Sequence, residues 1–505
     1  MKCLLAGMFF LVVLSSASHS QCLTNVLWPP LSADSDDFGG DTLALDGNWL
    51  AVGTRKSPFP LTSQCWRRNL VHVYERVGLN WIERIALAGT NEFCLAEPDG
   101  FGVALDLSGR RVVVSSIDRF SSHVFVYTRK PNGGWEKVEI PAPDPTREFG
   151  FGYHLALEGD MLVVATAPGP TTAIYTFQFD AITGQWSLVD QIRNRPAHVL
   201  ELHESTLVLG AQPLLVPGQT THVYEFNQRW IETATFPHPA SSIEIKDDMI
   251  AVSTAISIAD PDELKVYARA GTTWVESQTI TSPNELTPVT FLGEKLCAGE
   301  RFNRTVDGRG AIHVFEKSNG LYAESRVLVP DSITPRGNFI LLGHGQMDAS
   351  GDTLVAGSYF GVFRGLTGGV FTFSDSQQCA TLSSTPTRLS LSTGDHLTLN
   401  LDAGSDFAGL RFWLAGTLNG SSPGFKVGDV LVPLRRYGDL YYPLSIQRGT
   451  LDAEGRAILG VDVPPGLPWL NHRTLHHVFV VADQFGKIVH VSNVSLAGLV
   501  NVPLQ

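Results

Sequence analysis

Positive charge is scarce in this chain. Lysine and arginine number 37 against 50 aspartates and glutamates, a net charge of −13, and the four types make up only 17% of residues. A nucleic-acid partner needs a basic face to neutralise its phosphates, so nucleic acid is excluded, and attraction to anionic lipid is not expected either. Long apolar runs are missing too. Past the first twenty residues nothing reaches the ~20 apolar residues of a spanning helix, so no transmembrane segment is expected in the mature chain. There is no Cys-x-x-Cys and no Gly-Lys-Ser/Thr loop to cradle phosphate. Disorder is excluded by an ordinary hydrophobic content of 43%. A chain of 505 residues has room for about two or three domains with sizeable cores.

The one apolar run, Leu4 to Leu14, follows Lys2 and is too short to span a bilayer. With the small residues Ser18 and Ser20 ahead of Gln21, residues 1–20 read as a secretory signal peptide. Cys22 invites lipidation, but His19 and Gln21 spoil the small-residue context that this needs. A secreted or cell-surface location follows.

What is abundant is a repeat. An aromatic residue recurs in a strand-like context at Tyr74, Tyr127, Phe177, Tyr224, Tyr267, Phe315 and Phe373. A second aromatic follows most of them: Trp81, Trp135, Trp186, Trp230, Trp274 and Tyr322. None follows Phe373, yet Trp28 stands unpaired near the N-terminus, and from it the second aromatics are spaced by 53, 54, 51, 44, 44 and 48 residues. Ahead of each anchor lie two apolar runs separated by a tight turn, as in Leu43-Ala44-Leu45-Asp46-Gly47-Asn48-Trp49-Leu50-Ala51-Val52. Glycine supplies the positive φ that such turns require. Runs such as Val112-Val113-Val114 suit strands covered on both faces. Four strands per unit and a period near fifty predict an all-β, seven-bladed β-propeller. A last unit split between the chain ends predicts a ring closed by the N-terminal strand, which leaves no free sheet edge there.

Phe38-Gly39, Phe101-Gly102 and Phe151-Gly152 each precede the hairpin, and Ala167-Pro168 or Gly210-Ala211-Gln212 follows it. In this the chain resembles the FG-GAP repeat of integrin α-subunit heads and of many secreted bacterial proteins. The resemblance covers roughly residues 24–376, and from the fourth repeat the Phe-Gly pair is lost. It implies a propeller, and often calcium held by an Asp-x-Asp-x-Asp-Gly loop. No copy here has the full motif. In Asp34-Ser35-Asp36-Asp37-Phe38-Gly39, Phe38 replaces the third acid, and Asp260, Asp262 and Glu263 lack the glycine. Calcium wants six to eight oxygens around a sharp turn, so no metal and no cofactor is expected.

Six cysteines include Cys3 in the signal. Four of the rest can pair three ways, which sequence does not decide. Cys22–Cys379 is preferred because both lie where the ring ends meet, and Cys65–Cys94 would tie loops of the first two repeats. Cys297, inside an apolar strand, reads as a buried thiol.

Near Ser383 the period breaks. Residues 381–388 read as a linker, and 389–505, with alternating stretches such as Leu397-Thr398-Leu399-Asn400-Leu401, as a smaller β-sandwich. The run from Asp402-Ala403-Gly404 to Ser492-Asn493 is similar to C-terminal segments of other secreted bacterial proteins, which implies an accessory module.

Catalytic signals are weak. His472 and His476 have zinc-ligand spacing, but Arg473 stands where a protease would carry its glutamate, and adjacent His476 and His477 on a strand point to opposite faces. Gly420-Ser421-Ser422-Pro423-Gly424 imitates a nucleophile elbow, yet Pro423 has no N–H for an oxyanion hole. Trp66, with Arg67 and Arg68 in an irregular insertion, is the ligand-binding candidate. The residues predict a monomeric, non-enzymatic binding or structural protein (residues 21–380 the propeller) whose loops meet an extracellular protein or glycan. A polysaccharide-active hydrolase or lyase with paired carboxylates at the channel mouth is the alternative.

Overall fold

The structure is a computed structural model. It describes residues 22–27, 37–55, 69–77, 80–89, 100–117, 122–144, 150–169, 172–195, 197–211, 219–254, 262–282, 285–300, 310–328, 340–360, 369–374, 381–385, 388–417, 425–427, 430–432, 447–466, 474–492 and 495–500. Among them the only helical element is a single 3-10 turn at Ser405–Phe407, so the protein is all-β.

Up to residue 374 the strands form seven four-stranded antiparallel sheets. Sheets one to six span residues 37–88, 101–140, 154–193, 199–236, 242–282 and 286–328, each with its strands paired in chain order. Sheet seven takes three strands from 340–374, and its fourth, Cys22–Leu27, pairs with Gly369–Ser374. The hairpin between first and second strands repeats in register: Leu45 opposite Leu50 in sheet one, Leu107 opposite Val112 in sheet two, Leu157 opposite Leu162 in sheet three. At its turn Gly47, Gly109 and Gly159 all have φ 56°, whereas sheets four and five place Glu204 (φ 53°) and Asp247 (φ 50°) in the same left-handed conformation.

The seven aromatic anchors occupy one position. Tyr74, Tyr127, Phe177, Tyr224, Tyr267, Phe315 and Phe373 stand opposite Leu50, Val112, Leu162, Leu207, Ile250, Leu296 and Leu354. All seven are buried. In sheets one and three to six a bulge falls directly before the anchor, which sharpens the twist against the fourth strand.

Each apolar core before residue 374 is shared by two consecutive sheets, not enclosed within one. Leu107 and Phe125 pack with Val71 and Val73 between sheets one and two, and Ile243 and Val252 pack with Val208 and Val223 between sheets four and five. Val355 and Val370 of sheet seven pack with Phe38, Leu50 and Tyr74 of sheet one. The first strands accordingly touch in cyclic order, the last against the first. Phe38, Phe101 and Phe151 each sit in the core facing the preceding sheet. Gly152 (φ 91°) has no room for a side chain, since a Cβ would lie 2.7 Å from Val124 and 2.9 Å from Ser115.

Beyond residue 380 the strands form another arrangement. Thr381–Thr385, within the stretch read as a linker, pairs with Asp395–Asp402, which pairs with Arg456–Val463. A second sheet contains Arg411–Thr417, Thr474–Ala482 and Ser495–Val500. The two share one core, in which Leu397, Leu399 and Leu401 meet Phe412, Phe479 and Val481. The alternation read from the sequence is the inward face of this core.

Candidate functional site: a layer of carboxyl groups on the inner strands

On the first strands successive side chains face the preceding and the next sheet in turn, Leu43 and Leu45 packing with sheet seven and Ala44 with sheet two. One such position recurs two residues before the turn. The register opposes Asp106 to Val113, Glu201 to Val208, Glu244 to Ala251 and Asp348 to Val355. The same position in the other sheets is Ala44, Ala156 and Thr290. Four carboxyl groups from sheets two, four, five and seven therefore lie in one layer. Their charges reach one another across the sheets: buried Glu201 is raised in part by Glu244, Asp106, Asp348 and Glu158, which belong to sheets not all adjacent to its own.

Their surroundings favour the protonated form. Burial pushes Asp106 up to about 7; the backbone N–H groups of Leu157 and Leu107 oppose this, while Asp348 and Asp46 add to it. Burial pushes Asp348 to about 7 as well, against the N–H groups of Leu45 and Ala349. Glu201 and Glu244 are raised well above the usual carboxylate range, first by burial and then by the neighbouring acids. Like charges held in one low-dielectric space do not all ionise.

Three of these acids bind the next sheet, Glu244 through the Phe291 N–H of sheet six. The Leu157 N–H of sheet three donates to Asp106 Oδ2 (2.6 Å), and the Leu45 N–H of sheet one donates to Asp348 Oδ2 (2.6 Å). The turn layer repeats the device. Gly109 N–H donates to Asp46 (2.5 Å), Gly159 N–H to Ser108 (3.0 Å), Gly47 N–H to Ser350 (2.9 Å) and Glu204 N–H to Glu158, while Lys246 Nζ donates to the Gly293 carbonyl (2.6 Å). Each bond links one sheet to the next, including seven to one. On the first strand of sheet three, His154 is lowered to about 4 by burial and then by the charge of His198.

The residues singled out from sequence lie elsewhere. Trp66, Arg67, Arg68, Cys65, Cys94 and Cys379 fall outside the described residues, as do Asp34, Asp36, Asp260, His472 and Ser421. Cys22 stands opposite Ser374 on the strand pair between the N-terminus and sheet seven. Cys297 is fully buried. His477 lies buried on the strand Thr474–Ala482. Asp262 is buried at the start of its strand and Glu263 pairs with Lys265 at 3.0 Å, while Phe38, at the end of the acidic run, is core. Among the described residues no group of three or more His, Cys, Asp or Glu could hold a metal.

Sequence reasoning missed the carboxyl layer, although its signal was present. Leu105-Asp106-Leu107, Leu200-Glu201-Leu202 and Ile243-Glu244-Ile245 each set an acid between two apolar residues just before the turn. Aligning the hairpins on that turn would have found it.

The repeated sheets and their shared inner face define an all-β protein of propeller type. No protein-family model and no curated protein matches the chain. Among solved structures it is similar to the β-propeller domain of the Trilobed protease from Pyrococcus furiosus, at 10% identity and TM-score 0.42, covering 67% of this chain and 95% of that one. Saccharomyces cerevisiae Sqt1 is similar at 10% identity and TM-score 0.39, covering 67% and 96%. A protein from Lactobacillus plantarum is similar at 11% identity and TM-score 0.41, covering 58% and 86%. Likeness at this level says nothing of activity.

Proposed function

We propose that residues 21–380 form a seven-bladed, FG-GAP-like propeller closed by its N-terminal strand, and that residues 389–505 form an accessory β-sandwich. The protein is secreted or held at the cell surface, is a monomer, and acts without catalysis, its rim loops recognising an extracellular protein or glycan. The observation that carries this reading is the use made of the inner-strand carboxyl groups. Asp106 and Asp348 spend an oxygen each on the backbone of the next sheet. A carboxyl fixed in that way braces a scaffold and is poorly placed to exchange protons with a substrate.

The test is a glycan and polysaccharide panel probed with residues 21–505, with calcium and with EDTA. Binding retained by Asp106→Asn and Trp66→Ala alike would move recognition away from both regions. Loss with Trp66→Ala alone supports the rim. A second reading, a polysaccharide-active enzyme, is favoured by one observation: buried Glu201 is raised well above the carboxylate range, as a general acid requires. Product release abolished by Glu201→Gln would establish it and overturn the non-catalytic reading.

A further inference from the structure

The second strand of each sheet ends at a position that is nearly always a small hydroxyl. Two residues beyond the one facing the third strand's histidine, lysine or aromatic stand Thr54, Ser116, Thr166, Ala211, Thr254 and Ser358 in sheets one to five and seven. The hydroxyls are buried, and several tie the strand end to its partner: Thr54 to Leu70, Thr166 to Ala173, Ser358 to Gly369. Sheet six alone places a carboxyl there. Glu300 is 1% exposed, and its Oε1 has no hydrogen-bond partner.

What faces Glu300 is also periodic. His72, His222, Lys265 and His313 share one position, each beside a glutamate standing opposite the anchor: Glu83, Glu232, Glu276 and Glu324. The first two histidines each have one carboxyl partner, His72 with Glu83 and His222 with Glu232. His313 has two. Its Nδ1 lies 2.7 Å from Glu324 Oε2 and its Nε2 lies 3.1 Å from Glu300 Oε2. Only an imidazolium can donate from both nitrogens at once; a neutral ring donates from one.

We propose that Glu300, His313 and Glu324 form a pH-sensitive latch across the second, third and fourth strands of sheet six, engaged while His313 carries its proton and released when it is lost. Burial alone would lower the His313 pKa, but the hydrogen bonds and charge of Glu300 and Glu324 outweigh it and hold the group above the ordinary histidine value. Loss of that proton leaves a carboxyl buried beside a neutral ring, which is costly. The remaining charged groups nearby do not replace it. Lys295 and Arg326 both lie by Glu316, at 3.2 and 3.7 Å, and Lys265 in sheet five is held by Glu263 and Glu276. Asp262 and Glu285 add only negative charge and have partners of their own, and Asp348 of sheet seven accepts the Leu45 N–H of sheet one. Glu300 and Ala311 are paired at the strand ends from which residues 301–309 leave, so the latch sits at the root of that connection.

The repeat supplies its own controls. Hydrogen exchange of the full chain at about pH 6 and about pH 9, corrected for intrinsic exchange, reads protection on either side of the histidine range. Strands Lys295–Glu300, Ala311–Ser318 and Leu321–Leu328 should lose severalfold more protection at the higher pH than Asp262–Ala270 in sheet five, which reads the loss common to the whole fold. His313→Lys, the residue used in sheet five, and Glu300→Thr, the type used in sheets one, three and five, should each remove the difference. An equal change in sheets five and six of the unmodified protein, or an excess loss in sheet six that survives His313→Lys, overturns the latch. If Glu300→Thr fails to fold, the unmodified protein and His313→Lys still decide.

Discussion

The inner strands and the third-and-fourth-strand pairs both put charged groups at positions repeated from sheet to sheet, yet they handle burial differently. On the inner strands acids face acids. Asp106 and Asp348 take backbone N–H bonds from the next sheet, and the layer keeps protons that free carboxyls would release. On the outer half a glutamate opposite the anchor meets a histidine or lysine of the neighbouring strand: Glu83 with His72, Glu232 with His222, Glu276 with Lys265. The first solution joins neighbouring sheets, and these His/Lys–Glu pairs join strands within one, while other outer pairs such as Arg269 with Glu225 cross between sheets. A repeat can therefore hold the same backbone while its electrostatics differ by radius.

The sharpest way to break this comparison is His313→Ala, which strips a buried carboxyl of its cation. It should cost about 3–5 kcal/mol, as removal of one member of a buried pair does, read from urea denaturation. Asp348→Ala leaves the Leu45 N–H unsatisfied between sheets seven and one and should cost about 1–3 kcal/mol by the same measurement. An equal loss for both variants would mean the two regions are not distinct in kind.

The inner layer also predicts a pH dependence. Asp106 and Asp348 hold protons in the folded chain after the unfolded chain has released its own, so their contribution is complete below about pH 4 and is lost as pH rises through about 7. The double variant Asp106→Asn, Asp348→Asn should flatten the decline of Tm over that range, because the amide oxygen can still accept the N–H. Acid works against the fold elsewhere. His154, lowered by burial and His198, contributes fully above about pH 6.5 and loses that contribution as pH falls through about 4. His154→Gln should remove part of the acid-side loss of Tm. Smallest of all, His123→Ala breaks an exposed pair with Glu139 and should change stability by about 0–1 kcal/mol.

Much of the fold could be read in advance because its signals are local and repeated. The seven anchors occupy one register position, and Trp81, Trp230, Trp274 and Tyr322 open their fourth strands buried, because an aromatic there covers the joint between two sheets. Phe38 and Phe101 were legible for the same reason. The carboxyl layer was not read, since an acid two residues before a turn is ordinary until seven such turns are superposed. Glu300 was harder still: in the sequence it is one acid ahead of an insertion, and only its register shows that every other sheet fills the place with a hydroxyl or, in sheet four, with Ala211.

By itself the sequence determined the strand repeat, the turn conformations and the alternation that sends successive side chains to opposite faces, all set within a few residues by sterics and period. Only the tertiary structure decided which acids meet one another, which sheet's backbone satisfies them and that His313 lies between two carboxyls. Those facts depend on distances between residues as far apart as Leu45 and Asp348, and Coulomb and hydrogen-bond energies are fixed by that separation in space, not along the chain.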